Sequence, residues 1–326
     1  MEQKLIDKLV SATELEKGQI VLLNFWGEEE EIEDLYHFIN AVSATGAMPM
    51  SLIHSSKYYQ NLFENMQSEV PEKWFEQFAG VEIVVDIMNH TPGMPPKGLA
   101  AEKIPLFGAY LRKLFQAFSD KKKLIQITMP TDANAVLADI EPEVFKARTL
   151  KALDVDYRKL KEDCQSKIES FAGTTRTIVT GKDCILALDT TDRKWIVDAG
   201  DGALPAGEIY IAPVEEHSNG NIFFETLAVE GRGVFSNVTV TVKQGQMTGS
   251  DCEEFNAFLK ELPEGGNVVA ELGIGMNPNV DKILGDSHLD ENAVGTFHIG
   301  IGMNHLFGGK NETPVHFDFV AEGVVK

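Results

Sequence analysis

The first 130 residues alternate short apolar runs with amphipathic stretches of helical period. Residues 20–25, 48–53, 81–87 and 123–128 read as strands, and residues 29–43, 58–67 and 108–118 between them read as helices. Strands alternating with helices predict an α/β domain over residues 1–140, built on a parallel-type sheet with helices on both faces. No Gly-rich phosphate loop follows the first strand. In its place stands Trp26-Gly27-Glu28-Glu29-Glu30, whose carboxylates repel phosphate, which disfavours a dinucleotide domain. The Pro- and Gly-rich run over residues 91–98 reads as a loop connecting two elements.

Glu141-Pro142-Glu143 opens a charged helical stretch over residues 143–171, and its acidic first turn suits the helix dipole. Residues 141–172 are therefore expected to form one long connecting helix. From Thr174 the pattern changes to short strands separated by Gly, Asp and Asn turns: residues 176–180, 184–188, 194–197, 208–212, 238–242, 268–272, 296–301 and 315–320. A single helix, residues 252–262, interrupts them. The expectation for residues 173–326 is a mostly antiparallel, barrel-like β domain that carries the functional site.

Composition narrows the partners. The 326 residues leave room for two domains, and 43 % apolar with 24 % charged residues is the balance of a soluble globular protein. Twenty-nine Lys and Arg against fifty Asp and Glu give a net charge of -21, which repels nucleic acid and anionic membrane surfaces. The N-terminus lacks an apolar signal core and no run is long enough to span a bilayer, so a cytoplasmic protein is expected. Cys164, Cys184 and Cys252 are odd in number and lack metal-ligand spacing. Any metal must be held by oxygen and nitrogen.

Such donors concentrate near the C-terminus. In Val315-His316-Phe317-Asp318-Phe319, alternation along a strand puts His316 and Asp318 on one face and the apolar residues on the other. Upstream, Glu271-Leu-Gly-Ile-Gly-Met-Asn277 is echoed by His298-Ile-Gly-Ile-Gly-Met-Asn304, with a potential ligand leading each repeat and glycines that permit close backbone approach. Glu208 begins an apolar strand after a Pro-Ala-Gly turn. Asp290-Glu291-Asn292 reads as a turn or cap.

Taken in order, Pro205-Ala-Gly-Glu208-Ile-Tyr-Ile-Ala-Pro213, Glu271-Leu-Gly with Asn277-Pro278, Leu289-Asp-Glu-Asn-Ala293 leading to His298-Ile-Gly-Ile-Gly302, and His316-Phe-Asp-Phe319 resemble the motifs of the aminopeptidase T family. These are thermophilic, two-metal leucyl aminopeptidase-like metallopeptidases, and the resemblance runs over about residues 195–322. It implies a metal-dependent hydrolase with Glu208, Glu271, His298, His316 and Asp318 around two divalent ions (Zn, Co or Mn), a peptide or other small-molecule substrate, and a homodimer. The family has a Tyr seven residues after the His of its third motif, where this chain has His305. His305 is accordingly a candidate sixth ligand or oxyanion donor, and Glu208 a candidate proton relay. The resemblance leaves two alternatives: a ring-cleaving dioxygenase of the 2,5-dihydroxypyridine type with one Fe(II) held by two His and a carboxylate, or a non-catalytic metal-binding homologue.

Overall fold

A computed structural model describes the whole chain except Lys97, Glu230, Lys282 and the side chain of Ser287. Lys97, in the loop over residues 91–98, thus lies outside the described residues. The chain divides into two compact units, Met1–Asp154 with Gly200–Pro205, and Val155–Ala199 with Ala206–Lys326.

The first unit is built on a parallel sheet in the order β2-β1-β3-β4-β8, where β1 is Ile20–Trp26, β2 Met48–Ile53, β3 Ile83–Met88, β4 Lys123–Thr128 and β8 Ala203–Leu204. Leu22, Trp26 and Val84 point to one face, into a cluster with Tyr59, Phe63, Phe107 and Leu114. The alternate residues Val21, Leu23, Phe25, Ile83, Val85 and Ile87 are equally buried on the other face. Burial on both sides explains why β1 and β3 are apolar throughout except for Asn24 and Asp86. Helix ends follow local chemistry: the Ser55 hydroxyl accepts from Tyr58 N–H to open Ser56–Asn65, and Gly46, at φ 87°, closes Ile32–Thr45.

Two features of this unit escape the sequence pattern. Helix Gln3–Ala12 buries Ile6, Leu9 and Val10 but precedes the first strand, where no alternation announces it. Strand β8 reaches the sheet edge through Gly200–Pro205, a six-residue return too short to carry a period.

The expected single connecting helix is in fact two, Pro142–Leu153 and Tyr157–Glu169. Asp156 is extended and its carboxylate accepts from Lys159 N–H, so it caps a new helix instead of continuing the old one. The boundary between the two units falls in this break, after Asp154.

The second unit forms two antiparallel sheets. One has the order β12-β11-β10-β6-β5-β16, comprising Gln246–Ser250, Gly233–Lys243, Asn219–Val229, Ile185–Asp189, Thr175–Val179 and Val324–Val325 respectively. The other has the order β15-β14-β13-β9-β7, comprising His316–Glu322, Thr296–Gly302, Val269–Gly275, Glu208–Ile211 and Ile196–Asp198. Phe224, Val240, Leu272, Ile299 and Phe319 belong to one buried cluster, so both sheets contribute to a common core. Helix Glu253–Glu261 adds Phe255 and Phe258 to it. The eleven-residue β10 holds Phe223 and Phe224, both buried. Among the described residues no helix is long and apolar enough to cross a membrane.

Phe319 is the residue behind the candidate site, 1 % exposed and edge-on to Phe255 and Phe224. Phe319→Ala is expected to destabilise the protein by about 3–5 kcal/mol, seen as a lower urea midpoint in circular dichroism; an unchanged midpoint would show that this core does not support the sheet.

Candidate metal centre

The sheet β15-β14-β13-β9-β7 has one apolar face and one face that collects ligands. On β14, Phe297, Ile299 and Ile301 enter the core, leaving His298, Gly300 and Gly302 on the opposite side. On β15, Phe317 and Phe319 alternate with His316 and Asp318, and on β9 Ile209 and Ile211 alternate with Glu208 and Tyr210. Strand β13 reaches the same outcome through a bulge. Val269 pairs with Ile301 and lies in the core, yet Glu271, two residues on, pairs with Gly300; the extra residue Ala270 turns Glu271 to the ligand face.

Each of the five carboxylate and imidazole residues stands opposite a glycine on a neighbouring strand. Glu208 pairs with Gly275, Glu271 with Gly300, His298 with Gly273, Asp318 with Gly300 and His316 with Gly302. At Gly273 and Gly300 a side chain would occupy the space the donors need, whereas at Gly275 and Gly302 it would meet the backbone of Ala293 and Val315. A Cβ at Gly300 would lie 2.7 Å from Glu271 Cβ, 2.8 Å from Asp318 Oδ1 and 2.9 Å from His316 Nε2, and one at Gly273 would fall on the His298 ring. The first glycine of each Gly-Ile-Gly is therefore a packing requirement of the cluster, and the isoleucine beside it is buried.

The asparagines that end the two repeats are both fully buried and both brace the site. Asn277 donates to Ala206 O at 2.7 Å, holding the turn before Glu208, while its own N–H donates to Asn292 O. Asn304 donates to Ala270 O at 3.3 Å, at the bulge that aims Glu271, and to Glu215 Oε1 at 3.2 Å.

The donors form two groups that share one residue. Glu208, Glu271 and His298 lie within 4.8 Å of one another, as do Glu271, His316 and Asp318. Glu271 Oε1 is 3.2 Å from His298 Nε2 and Glu271 Oε2 is 3.5 Å from His316 Nε2, so its two oxygens face different imidazoles. His316 Nε2 is also 3.2 Å from Asp318 Oδ1, and its Nδ1 lies 2.7 Å from Met303 O, which fixes the ring with Nε2 toward the cluster. The groups differ in access: the His298 side chain is 1 % exposed, against 22 % for His316 and 21 % for Asp318.

The electrostatics suit a cation. Burial and the nearby Glu271, Asp198 and Asp318 carboxylates push the Glu208 carboxyl up to about 8, against the pull of His298. Burial opposes a charged His298 ring, but its hydrogen bond to Glu271 and the surrounding carboxylates prevail and raise it to about 10. His316 rises to about 9 in the same way, with Asp318 its main partner, and Asp318 is held below its usual range despite burial. Imidazoles this basic mark a site with an excess of negative charge. Glu208 Oε2 is buried without a hydrogen bond, 3.4 Å from His298 Nε2, as expected of a donor oxygen whose natural partner is a metal. With three carboxylates and two imidazoles, the donor set fits divalent cations of the Zn, Co or Mn type.

His305 is not brought to this cluster. It lies on the short turn His305–Phe307, exposed, with Nδ1 3.3 Å from Asn311 O, and belongs to neither donor group. Its neighbour Phe307 does approach, packing edge-on against His316 and against Tyr210. Two acidic residues of the site are not marked by the motif spacing. Glu291 sits between Asp290, which accepts from Leu284 and Gly285 N–H, and Asn292, which donates to His288 O. Those flanking residues serve the turn as expected, while burial and the carboxylates of Glu208 and Asp318 hold the Glu291 carboxyl well above its usual range. Asp198 pairs with Glu208 across β7 and β9. His288, close to the motifs, acts electrostatically on Asp318.

Gly300→Ala tests the glycine rule. The variant is expected to fold but to bind Zn or Co on the order of 10–100-fold more weakly, measured by competition with a chromogenic chelator; wild-type affinity would show that the space over Gly300 does not matter.

The profile of the thermophilic metalloprotease family M29 matches residues 118–320, more than half of the chain. No curated protein sequence matches. Among solved structures, wild-type AmpT from Thermus thermophilus superposes with a TM-score of 0.66 at 17 % identity, over 99 % of this chain and 97 % of that one, a likeness of fold. Nothing in these comparisons supports the ring-cleaving dioxygenase. The profile spans β9, β13 and β14 and reaches Val320 in β15, strands whose order and spacing underlie the resemblance read from the four motifs, and the chain belongs to the M29 family of thermophilic metalloproteases.

Proposed function

We propose that the protein is a metal-dependent aminopeptidase whose active site is the ligand face of β15-β14-β13-β9. The observation that carries this reading is the sharing of Glu271 between two three-residue donor groups. In that arrangement Glu208, Glu271 and His298 would hold one divalent ion, and Glu271, His316 and Asp318 would hold a second. When bound, such a pair supplies Lewis-acid polarisation of a peptide carbonyl and acidifies a water to act as nucleophile.

The chain's own residues supply the rest. Burial and the neighbouring carboxylates raise the Glu291 carboxyl well above its usual range, and we assign it the relay of a proton to the departing amine in preference to Glu208, which the ligand group engages. The carboxylate of Asp198, beside Glu208 at the edge of the sheet, attracts a substrate's free α-ammonium group. His305 remains at the exposed turn outside both groups, and we assign it no ligand role. Phe307 and Tyr210 form an aromatic wall next to His316, which favours substrates with an apolar first residue such as leucine. Zn, Co or Mn each match the donors. A homodimer and a cytoplasmic location complete the proposal, the latter in keeping with three unpaired cysteines.

Purified protein treated with a chelator and then given Zn, Co or Mn should regain cleavage of leucyl-p-nitroanilide but leave N-acetyl-leucyl-p-nitroanilide intact. Equal cleavage of both would refute an aminopeptidase, and activity indifferent to chelation would refute the metal site. Glu271→Gln should lower kcat/KM by at least about 10³-fold, because one substitution weakens both donor groups; a loss under tenfold would contradict the shared role.

A further inference from the structure

We propose that the first unit carries a second ligand site, at the carboxyl ends of β1 and β3, for a small molecule that joins a carboxamide to a cationic amine. In an open parallel sheet the crevice where strand order reverses is where ligands bind, because the loops from adjacent strands diverge there. Here β1 is followed by β2 on one side and β3 on the other, so the reversal lies between β1 and β3. A cavity of about 490 Å³ opens at that point, lined by residues that follow β1 (Glu28, Glu30), β2 (Ser56) and β3 (Asn89, His90, Met94). Its size is that of a small-molecule site.

The cavity contains a buried group without a partner. Asn89 is 1 % exposed and its backbone is fixed, the N–H donating to Trp26 O at 2.8 Å and the carbonyl accepting from Thr131 Oγ1 at 2.6 Å. Yet neither Oδ1 nor Nδ2 of its side chain has a hydrogen-bond partner, and His90 Nε2 lacks one as well. Nearby Asn134 shows the usual state of a buried amide, donating to both Met88 O and Met129 O. Asn89 presents one acceptor and one donor group side by side, which is the complement of another carboxamide.

Charge and shape define the rest of the ligand. Glu28 is engaged by Ser56 N–H at 3.1 Å and Ser56 Oγ at 2.5 Å, and Glu31 by Glu28 N–H at 2.9 Å, so these two acids build the wall. Glu30 is exposed at the rim and supplies charge for a cation. No Lys or Arg is among the described lining residues, which disfavours phosphate. Met94 and the following prolines offer an apolar wall. An aminoacyl amide, the chemistry of a peptide's amino end, meets all three demands. The site is argued from this unit alone and does not depend on the reading of the metal centre.

The probe is L-leucinamide, titrated calorimetrically into full-length Glu271→Gln protein so that turnover at the metal centre does not consume it. One saturable site is expected, weakened at least tenfold by Asn89→Leu and severalfold by Glu30→Gln, with N-acetylleucinamide and leucine each binding at least tenfold more weakly than leucinamide. Should Asn89→Leu fail to fold, Glu30→Gln and His90→Ala decide the matter. Absence of saturable binding, or binding that none of these substitutions changes, overturns the proposal; tighter binding of AMP than of leucinamide overturns the ligand class.

Discussion

The pairing of each ligand with a glycine across the sheet is the constraint on which the site depends. Neighbouring strands lie about 4.8 Å apart, too close for two full side chains to point at the same spot above the sheet. By placing glycine at 273 and 300, the chain frees the volume over β13 and β14 for the side chains of His298, Glu271, Asp318 and His316. Gly300, opposite both Glu271 and Asp318, is the central case. The apolar partners in each motif, Leu272, Ile299, Phe319 and Ile209, fix the sheet from below, and the same alternation that buries them raises the donors.

A gathering of carboxylates in a buried place is unstable on its own terms, since each like charge raises the cost of the next. Burial and like charge push the Glu208 and Glu291 carboxyls up, and the surrounding carboxylates raise the His298 and His316 imidazoles. Divalent cations would take the place of the protons on the ligand residues Glu208, His298 and His316, which is why metal binding at such a centre releases protons and adds to folding stability. Asn277 and Asn304 keep the cluster from relaxing, because each ties the strand end next to a donor to a neighbouring carbonyl.

Much of this was legible in the chain. Period-two alternation around His316 and Asp318, and the repeated Gly-Ile-Gly, identified the ligand face because strand geometry maps directly onto sequence. The parallel strands β1 to β4 were readable for the same reason, as apolar runs separated by helical periods. What was not legible depended on contacts distant in sequence. The bulge at Ala270 has no local signature. Glu291 looked like part of a turn because its neighbours Asp290 and Asn292 are one. His305 was drawn to the site by its position in a motif, whereas the chain turns it outward over His305–Phe307 and brings Phe307 in. The break at Asp154–Asp156 hid in a charged stretch that both helices share.

The central claim, that Glu271 joins two metal positions on one glycine-cleared face, is tested most directly by crystallography of Zn- or Co-loaded protein with anomalous scattering at the metal edge. The account predicts two peaks about 3.5–4 Å apart, one beside Glu208 and His298 and the other beside His316 and Asp318, with one Glu271 oxygen on each. A single peak, or two peaks of which only one contacts Glu271, would contradict it.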